Sequence, residues 1–543
     1  MNARHVVAGS TLLAVVAAAI AVACTRGGPA TEVTEQSSSP LSAGTNYNVV
    51  GNSTGMGGRH ETSVAASSVC TRNITGGCTP SGNWVVGFNA QVTSDGLGAG
   101  WAYSTDLTGS NWMAYETANF GSSSSSGGFT GTMSDGNPFK QLDSDNTIVP
   151  VLSTPPDAGD YNKRMLYTIG ADSTAKAFTD VMIAISDDGG QTWGHPNIVN
   201  TVATGNGVDH PSMATQRVSP YDTWVVWTQR GSTSKGWISK VAYDSSYAFS
   251  ATTPVQVDQY NMSGGVLSPF IDVGNIVNCG DGGGTHPAVY VAWTSGSGRC
   301  KENPSGATVT WYFGIYDIVT GQMFAPFTIE QETGWPYCIG HATYDAGNPD
   351  ILTNDPGVRV VTDPSGTRFT FAYIQKGDGH GTRMHISSAQ MVCTSGSPTP
   401  GTPTTWTSPN PCNGGCVHNC CDYGADGGPI VNDEWGPAIA HVKNGSNDEY
   451  LWAWYSTRAD PANTLTGIYG AYNINGTFSS SPILITPATA ADAGTTVPWN
   501  PTGALWYDYQ GLQSDPSSLT FFGAWAGDAR QHYTGEIWGA VVQ

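Results

Sequence analysis

The chain has 543 residues and a net charge of -21, from 21 Lys and Arg against 42 Asp and Glu, with charged residues only 12% of the total. Such a polyanion, with no Lys/Arg cluster, excludes nucleic acid as a partner, because the phosphate backbone demands clustered cations. Sparse charge together with 69 Gly, 18 Trp and 23 Tyr suits short strands joined by many turns.

Residues 1–23 read as an export signal. Arg4 gives a small positive region, and the apolar run Thr11 to Cys24 is too short for a comfortable membrane span. Its end, Ala21-Val22-Ala23-Cys24, resembles a bacterial lipobox, which makes Cys24 the lipidated first residue. The alternative is plain secretion after cleavage at Ala21-Val22-Ala23. The expected location is therefore outside the cytoplasm, lipid-anchored to a bacterial surface or outer membrane, or secreted. The lipid is the only membrane attachment expected. Residues 24–45 are small and polar and read as a flexible tether.

The folded domain is expected over 46–543. A recurring element is an aromatic, β-branched strand: 83–90, 222–230, 288–295, 368–376, 449–458 and 519–530. A second strand follows each, as in 98–106, 180–188 and 466–473. A short element with an acid and a Pro or Gly precedes it, as in 209–216, 354–363 and 433–442. Units of this kind begin near 60, 138, 205, 266, 348, 430 and 497, which predicts an all-β propeller of four-stranded blades, seven in number, with six possible. A tandem β-sandwich explains the alternation but not the shared order of three elements.

Eleven cysteines are present, and Cys24 apart the remainder is even. In an oxidising compartment Cys70, Cys78, Cys279, Cys300, Cys338, Cys393, Cys412, Cys416, Cys420 and Cys421 are disulfide candidates, with Cys70–Cys78 and Cys279–Cys300 expected as local pairs. The run 412–421 lacks a C-x2-C spacing, so no metal site is expected there. No cofactor is expected. Calcium at 143–146 or 157–162 is a weak alternative to turn-forming aspartates.

The segment "ISDDGGQTW" carries Ser186, Asp188, Gly190, Thr192 and Trp193 in the spacing S-x-D-x-G-x-T-W. A degenerate copy keeps Ser104, Asp106, Gly109 and Trp112. This pattern resembles the Asp-box, or bacterial neuraminidase repeat, of the sialidase superfamily. The resemblance implies a propeller with these turns on its rim, away from the ligand. It also implies a structural role: the Asp accepts amides in its own turn, the Gly takes positive φ, and the Trp covers an apolar edge.

Sialidases also carry a Phe/Tyr-Arg-Ile-Pro motif. None is present, and Arg59, Arg72 and Arg164 sit in other contexts. The expected function is thus a displayed propeller that binds glycan or an extracellular protein, leaning away from catalysis. The alternatives are a glycoside hydrolase (exo-sialidase-like) or lyase on acidic glycans, and a purely structural surface module. Arg230, Arg458 and Arg530 each end an aromatic strand and could recognise an anion, or pair with nearby carboxylates. Glu434, Trp506, Asp508 and Tyr509 join acids to aromatics as sugar sites do, and also suit packing between blades. No oligomeric state follows from the sequence.

Overall fold

The computed structural model describes residues 43–50, 60–72, 78–93, 96–117, 129–130, 141–151, 163–172, 180–201, 207–217, 219–258, 265–280, 283–295, 307–335, 357–363, 366–376, 382–408, 434–444, 447–456, 465–479, 482–485, 497–498, 510–515, 520–527 and 536–542. Among these, all regular structure is strand. The strands form seven separate antiparallel sheets, which settles the blade number.

Blade 1 comprises His60–Arg72, Cys78–Thr93, Gly96–Ser104 and Trp112–Thr117. Blade 2 comprises Gln141–Pro150, Met165–Asp172, Asp180–Ser186 and Trp193–Thr201, with the short Phe129–Thr130 running parallel to the last. Blades 3, 4, 5 and 6 begin with Val208–Thr215, Leu267–Val277, Val358–Thr362 and Glu434–Asn444. Their second strands are Thr223–Gln229, Thr285–Ser295, Arg368–Lys376 and Asn447–Ser456, and their third strands Lys235–Tyr243, Ala307–Asp317, Thr382–Thr394 and Leu465–Ile474. Blade 7 holds Gly511–Asp515, Thr520–Gly527 and Glu536–Val542. Its fourth strand is Ala43–Asn48, from the other end of the chain, paired with Glu536–Val542. First strands touch from one blade to the next around the whole ring, and the ring closes where Gly511–Asp515 meets His60–Arg72.

A blade inside such a ring is covered on both faces. The centres of the second strands are therefore buried without alternation, as in Thr223–Gln229, where every residue but the last is buried. Core clusters run between neighbouring sheets. Val85 and Trp101 of blade 1 pack with Tyr167 and Met182 of blade 2, and Phe521 and Trp525 of blade 7 pack with Trp435 and Leu451 of blade 6. Trp452, fully buried in blade 6, stacks on Phe478 and belongs to a cluster spanning blades 4, 5 and 6. Truncating such a tryptophan to Ala costs about 3–5 kcal/mol.

Because the strands alternate in direction, the starts of first strands and the ends of second strands lie on one face, called here the strand-start face. The turns joining third to fourth strands lie on the opposite one, the turn face. One cysteine expectation is corrected by this geometry. Cys279 pairs with Cys393, 114 residues away, at a Cα separation of 5.5 Å, and not with Cys300. Cys279 follows the first strand of blade 4 and Cys393 nears the end of the third strand of blade 5, so both reach the turn face. Strand Thr285–Ser295 carries the chain to the other face before residue 300. Cys70 and Cys78 lie in paired strands, opposite Pro80 and Arg72, but their side chains are outside the described residues. So are Cys24, Cys300, Cys338, Cys412, Cys416, Cys420 and Cys421.

Candidate functional site

The turn Ser186–Trp193 is self-contained. Asp188 Oδ1 accepts the amides of Gln191 and Thr192, both at 2.9 Å, and Oδ2 accepts the Thr192 hydroxyl at 2.6 Å. Ser186 Oγ donates to Asp188 at 2.8 Å and accepts from Gly190 N at 2.9 Å. Gly190 has φ +80, and a Cβ there would lie 2.7 Å from Val85 of blade 1. Trp193 is buried edge-on against Tyr167. In blade 1, Asp106 Oδ1 accepts from Thr108 N at 2.8 Å, Gly109 has φ +66, and Trp112 packs on Phe522. Ser104 there donates to the carbonyl of Asp106 at 2.6 Å.

The same carboxylate cap recurs where the sequence pattern is lost. Asp244 Oδ1 accepts from Ser246 N at 2.8 Å and Ala248 N at 2.9 Å in blade 3, and Asp317 Oδ1 accepts from Val319 N at 2.8 Å in blade 4. These turns keep the one residue that satisfies orphan amides and lack the Ser and Trp of the pattern, while the blade 4 turn keeps a positive-φ glycine at Gly321, later than in the pattern.

The strand-start face holds the candidate site, at the boundary of blades 3 and 4. Arg230 donates from Nε to Asp209 Oδ2 at 2.6 Å, across the first two strands of blade 3. The Asp209 side chain is 10% exposed and that of Arg230 is 61% exposed. The pair is therefore anchored by the acid, while much of the guanidinium faces solvent. His210 Nε2 lies 3.7 Å from Asp209 Oδ2 and 3.2 Å from Ser268 Oγ of blade 4.

His210 and Ser268 have φ of +47 and +43, and each precedes a proline in a strand bulge. Gly436-Pro437 repeats the bulge in blade 6 with φ +60, where a Cβ would lie 2.8 Å from Tyr455. Left-handed backbone is free for glycine but strained for His and Ser, and residues held this way cluster at binding sites. In the neighbouring blades, the Arg359 guanidinium lies over the Phe270 ring, 3.1 Å from its centroid.

Of the predicted site residues, Arg230 is on this face. Glu434 is fully buried in the seam between blades 5 and 6, where its Oε2 accepts from Met384 N at 2.6 Å and from the Ser408 hydroxyl. Arg458, Arg530, Trp506, Asp508 and Tyr509 lie outside the described residues. Asn146, in the segment considered for calcium, bonds Ser63 and Asn89 of blade 1. Among the described residues no group of three His, Cys, Asp or Glu is placed to hold a metal ion. Sequence reasoning missed Asp209, His210 and Ser268. A signal was present: a proline follows at one fixed point of the bulge in "DHP", "LSP" and "WGP".

The site offers one shared acceptor, an exposed cationic fork, an imidazole and a hydroxyl. That set can donate hydrogen bonds to hydroxyls and carboxylates.

No protein-family model and no curated protein sequence matches the chain. Among solved structures it is similar to an α-L-arabinanase from Penicillium chrysogenum complexed with arabinobiose, at 10% identity and TM-score 0.32, over 70% of this chain and 89% of that one. It is also similar to the intramolecular trans-sialidase from Ruminococcus gnavus, at 10% identity and TM-score 0.31, over 90% and 95%. A third is NanB sialidase from Streptococcus pneumoniae, at 9% identity and TM-score 0.25, over 90% and 94%. The seven-bladed architecture rests on the strand pairing and ring closure, not on these alignments.

Proposed function

We propose that the protein is an exported, sialidase-like propeller that binds glycan at the strand-start face without hydrolysing it. The observation that carries this reading is the Asp209–Arg230 pair beside the strained His210–Ser268 contact. A largely buried acceptor holding an exposed guanidinium is a preorganised donor for sugar oxygens. Catalysis is disfavoured because Glu434 is spent on structural hydrogen bonds and Arg230 is already paired. The Ala21-Val22-Ala23-Cys24 signal supports display on a bacterial surface.

The test is a glycan array followed by titration calorimetry, with turnover assays on sialyl and uronyl substrates. The expected result is a glycan hit, no turnover, and a tenfold or greater loss of affinity in Arg230→Ala, as for removal of a charge-assisted hydrogen bond. Turnover abolished by Asp508→Asn would establish the hydrolase or lyase reading. No hit and no turnover would leave a structural module.

A further inference from the structure

On the turn face, Arg217 follows the first strand of blade 3 and reaches out of its own neighbourhood. Its NH1 lies 3.3 Å from Nδ1 of His441, in the first strand of blade 6. Two blades separate these positions on one side of the ring and three on the other, so this contact crosses the axis. The seams described above are bonded differently, between adjacent blades: Thr147 to Pro211, Thr215 to Pro150, Asn83 to Gly189.

We propose that Arg217 and His441 form an acid-released latch across the propeller axis, closed when His441 is neutral and opened when it is protonated. The hydrogen-bond network fixes the imidazole tautomer. Arg217 can only donate, so Nδ1 must accept; Nε2 then carries the proton and donates to Asp448 Oδ1 at 3.1 Å. A proton added at Nδ1 removes the acceptor and sets an imidazolium against a guanidinium. Arg217 would keep its contact with Asp272 Oδ2, which at 3.5 Å is long. That oxygen is already committed to Thr362 N at 2.7 Å and Thr362 Oγ1 at 2.9 Å. Among the described residues, no further hydrogen bond holds the guanidinium on the axis.

The charged and titratable surroundings of His441 come from four blades, and from blade 7 the Ser514 hydroxyl donates to its backbone carbonyl. Arg217 faces it from blade 3, with Asp272 of blade 4 behind that guanidinium. Asp363 acts on it from blade 5. In its own blade, Asp448 is shared with Lys443 at 2.9 Å, and the Tyr450 ring packs on the imidazole at 4.6 Å. Tyr450 also feels Arg368. The His441 side chain is 1% exposed. Burial is the largest influence and favours the neutral ring. The Asp448 bond opposes it and the Arg217 charge adds to it, and the balance lowers the pKa from its ordinary value.

The experiment is an NMR titration of the full domain selectively labelled with 15N-histidine and 15N-arginine, with His441→Gln and Arg217→Met to assign the signals. The latch requires the wild-type His441 signal to titrate below 6.5 and Arg217→Met to raise that midpoint. It also requires Arg217 Nε–H exchange with water to accelerate at least tenfold as His441 protonates, and to stay slow over the same range in His441→Gln. A glutamine can accept from Arg217 but cannot take the charge. Equal acceleration in His441→Gln, or exchange that ignores the His441 midpoint, would overturn the latch. If His441→Gln does not fold, Arg217→Met decides the matter alone: a raised His441 midpoint supports the latch, and an unchanged one means that no guanidinium faces the ring.

Discussion

The carboxylate of Asp188 holds Thr192 twice, accepting its backbone amide at 2.9 Å and its hydroxyl at 2.6 Å. Asp188→Ala leaves both donors and the Gln191 amide without that partner. The expected cost is about 1–3 kcal/mol, read as a lower denaturant midpoint at unchanged m-value. Glycan affinity of the folded protein should not move. A loss of affinity at full stability would mean that the turn is part of the site.

Glu434 is expected to behave as a seam residue. Glu434→Ala strands the Met384 amide and the Ser408 hydroxyl in a buried place and should destabilise by about 2–4 kcal/mol. Thermal unfolding measures this. Affinity at the strand-start face, compared below the melting point, should match the wild type.

The Cys279–Cys393 bridge closes a separation of 114 residues and joins blades 4 and 5. The double substitution Cys279→Ser with Cys393→Ser should cost about 5 kcal/mol by the loop-entropy argument. Equilibrium denaturation with and without reductant provides the check: reductant should lower the wild type toward the double variant at this bridge.

Burial, against a weaker pull from Glu330, pushes the His385 pKa down to about 4. The unfolded chain takes up a proton near 6.5 that the native state refuses. Stability from this group is therefore complete above pH 6.5 and is lost as pH falls toward 4, by about 3 kcal/mol. His385→Gln should flatten that part of the stability–pH curve, measured by urea titration at each pH.

If Cys24 carries a lipid, Cys24→Ser should move the protein from the membrane fraction to the soluble exported fraction, by immunoblot of fractionated cells. An unchanged distribution would favour plain secretion or another anchor.

The blades were legible because burial on both faces gives second strands such as Thr223–Gln229 an apolar, aromatic centre, here Trp224 to Trp227, and that centre repeats. Blade starts were expected near 60, 205, 266 and 430, and their first strands begin at His60, Val208, Leu267 and Glu434. The disulfide was not legible, since nearness in sequence says little when strands cross a disc between faces. The caps at Asp244 and Asp317 were hidden because one carboxylate suffices once neighbours supply the packing. Glu434 resembled a sugar ligand by its neighbours in sequence, yet its partners come from blade 5. Arg217 gave no signal at all, because its meaning depends on a residue 224 positions away.

Strand Ala43–Asn48 is paired with Glu536–Val542, from the far end of the chain. The first strand of the ring to be synthesised is thus the last that can dock. Six blades can assemble in order as the chain emerges, but the seventh has no outer edge until both ends meet. Deleting 43–48 should therefore leave blades 2 to 5 ordered while exposing a bare edge at Val542, where a second molecule's strand could add.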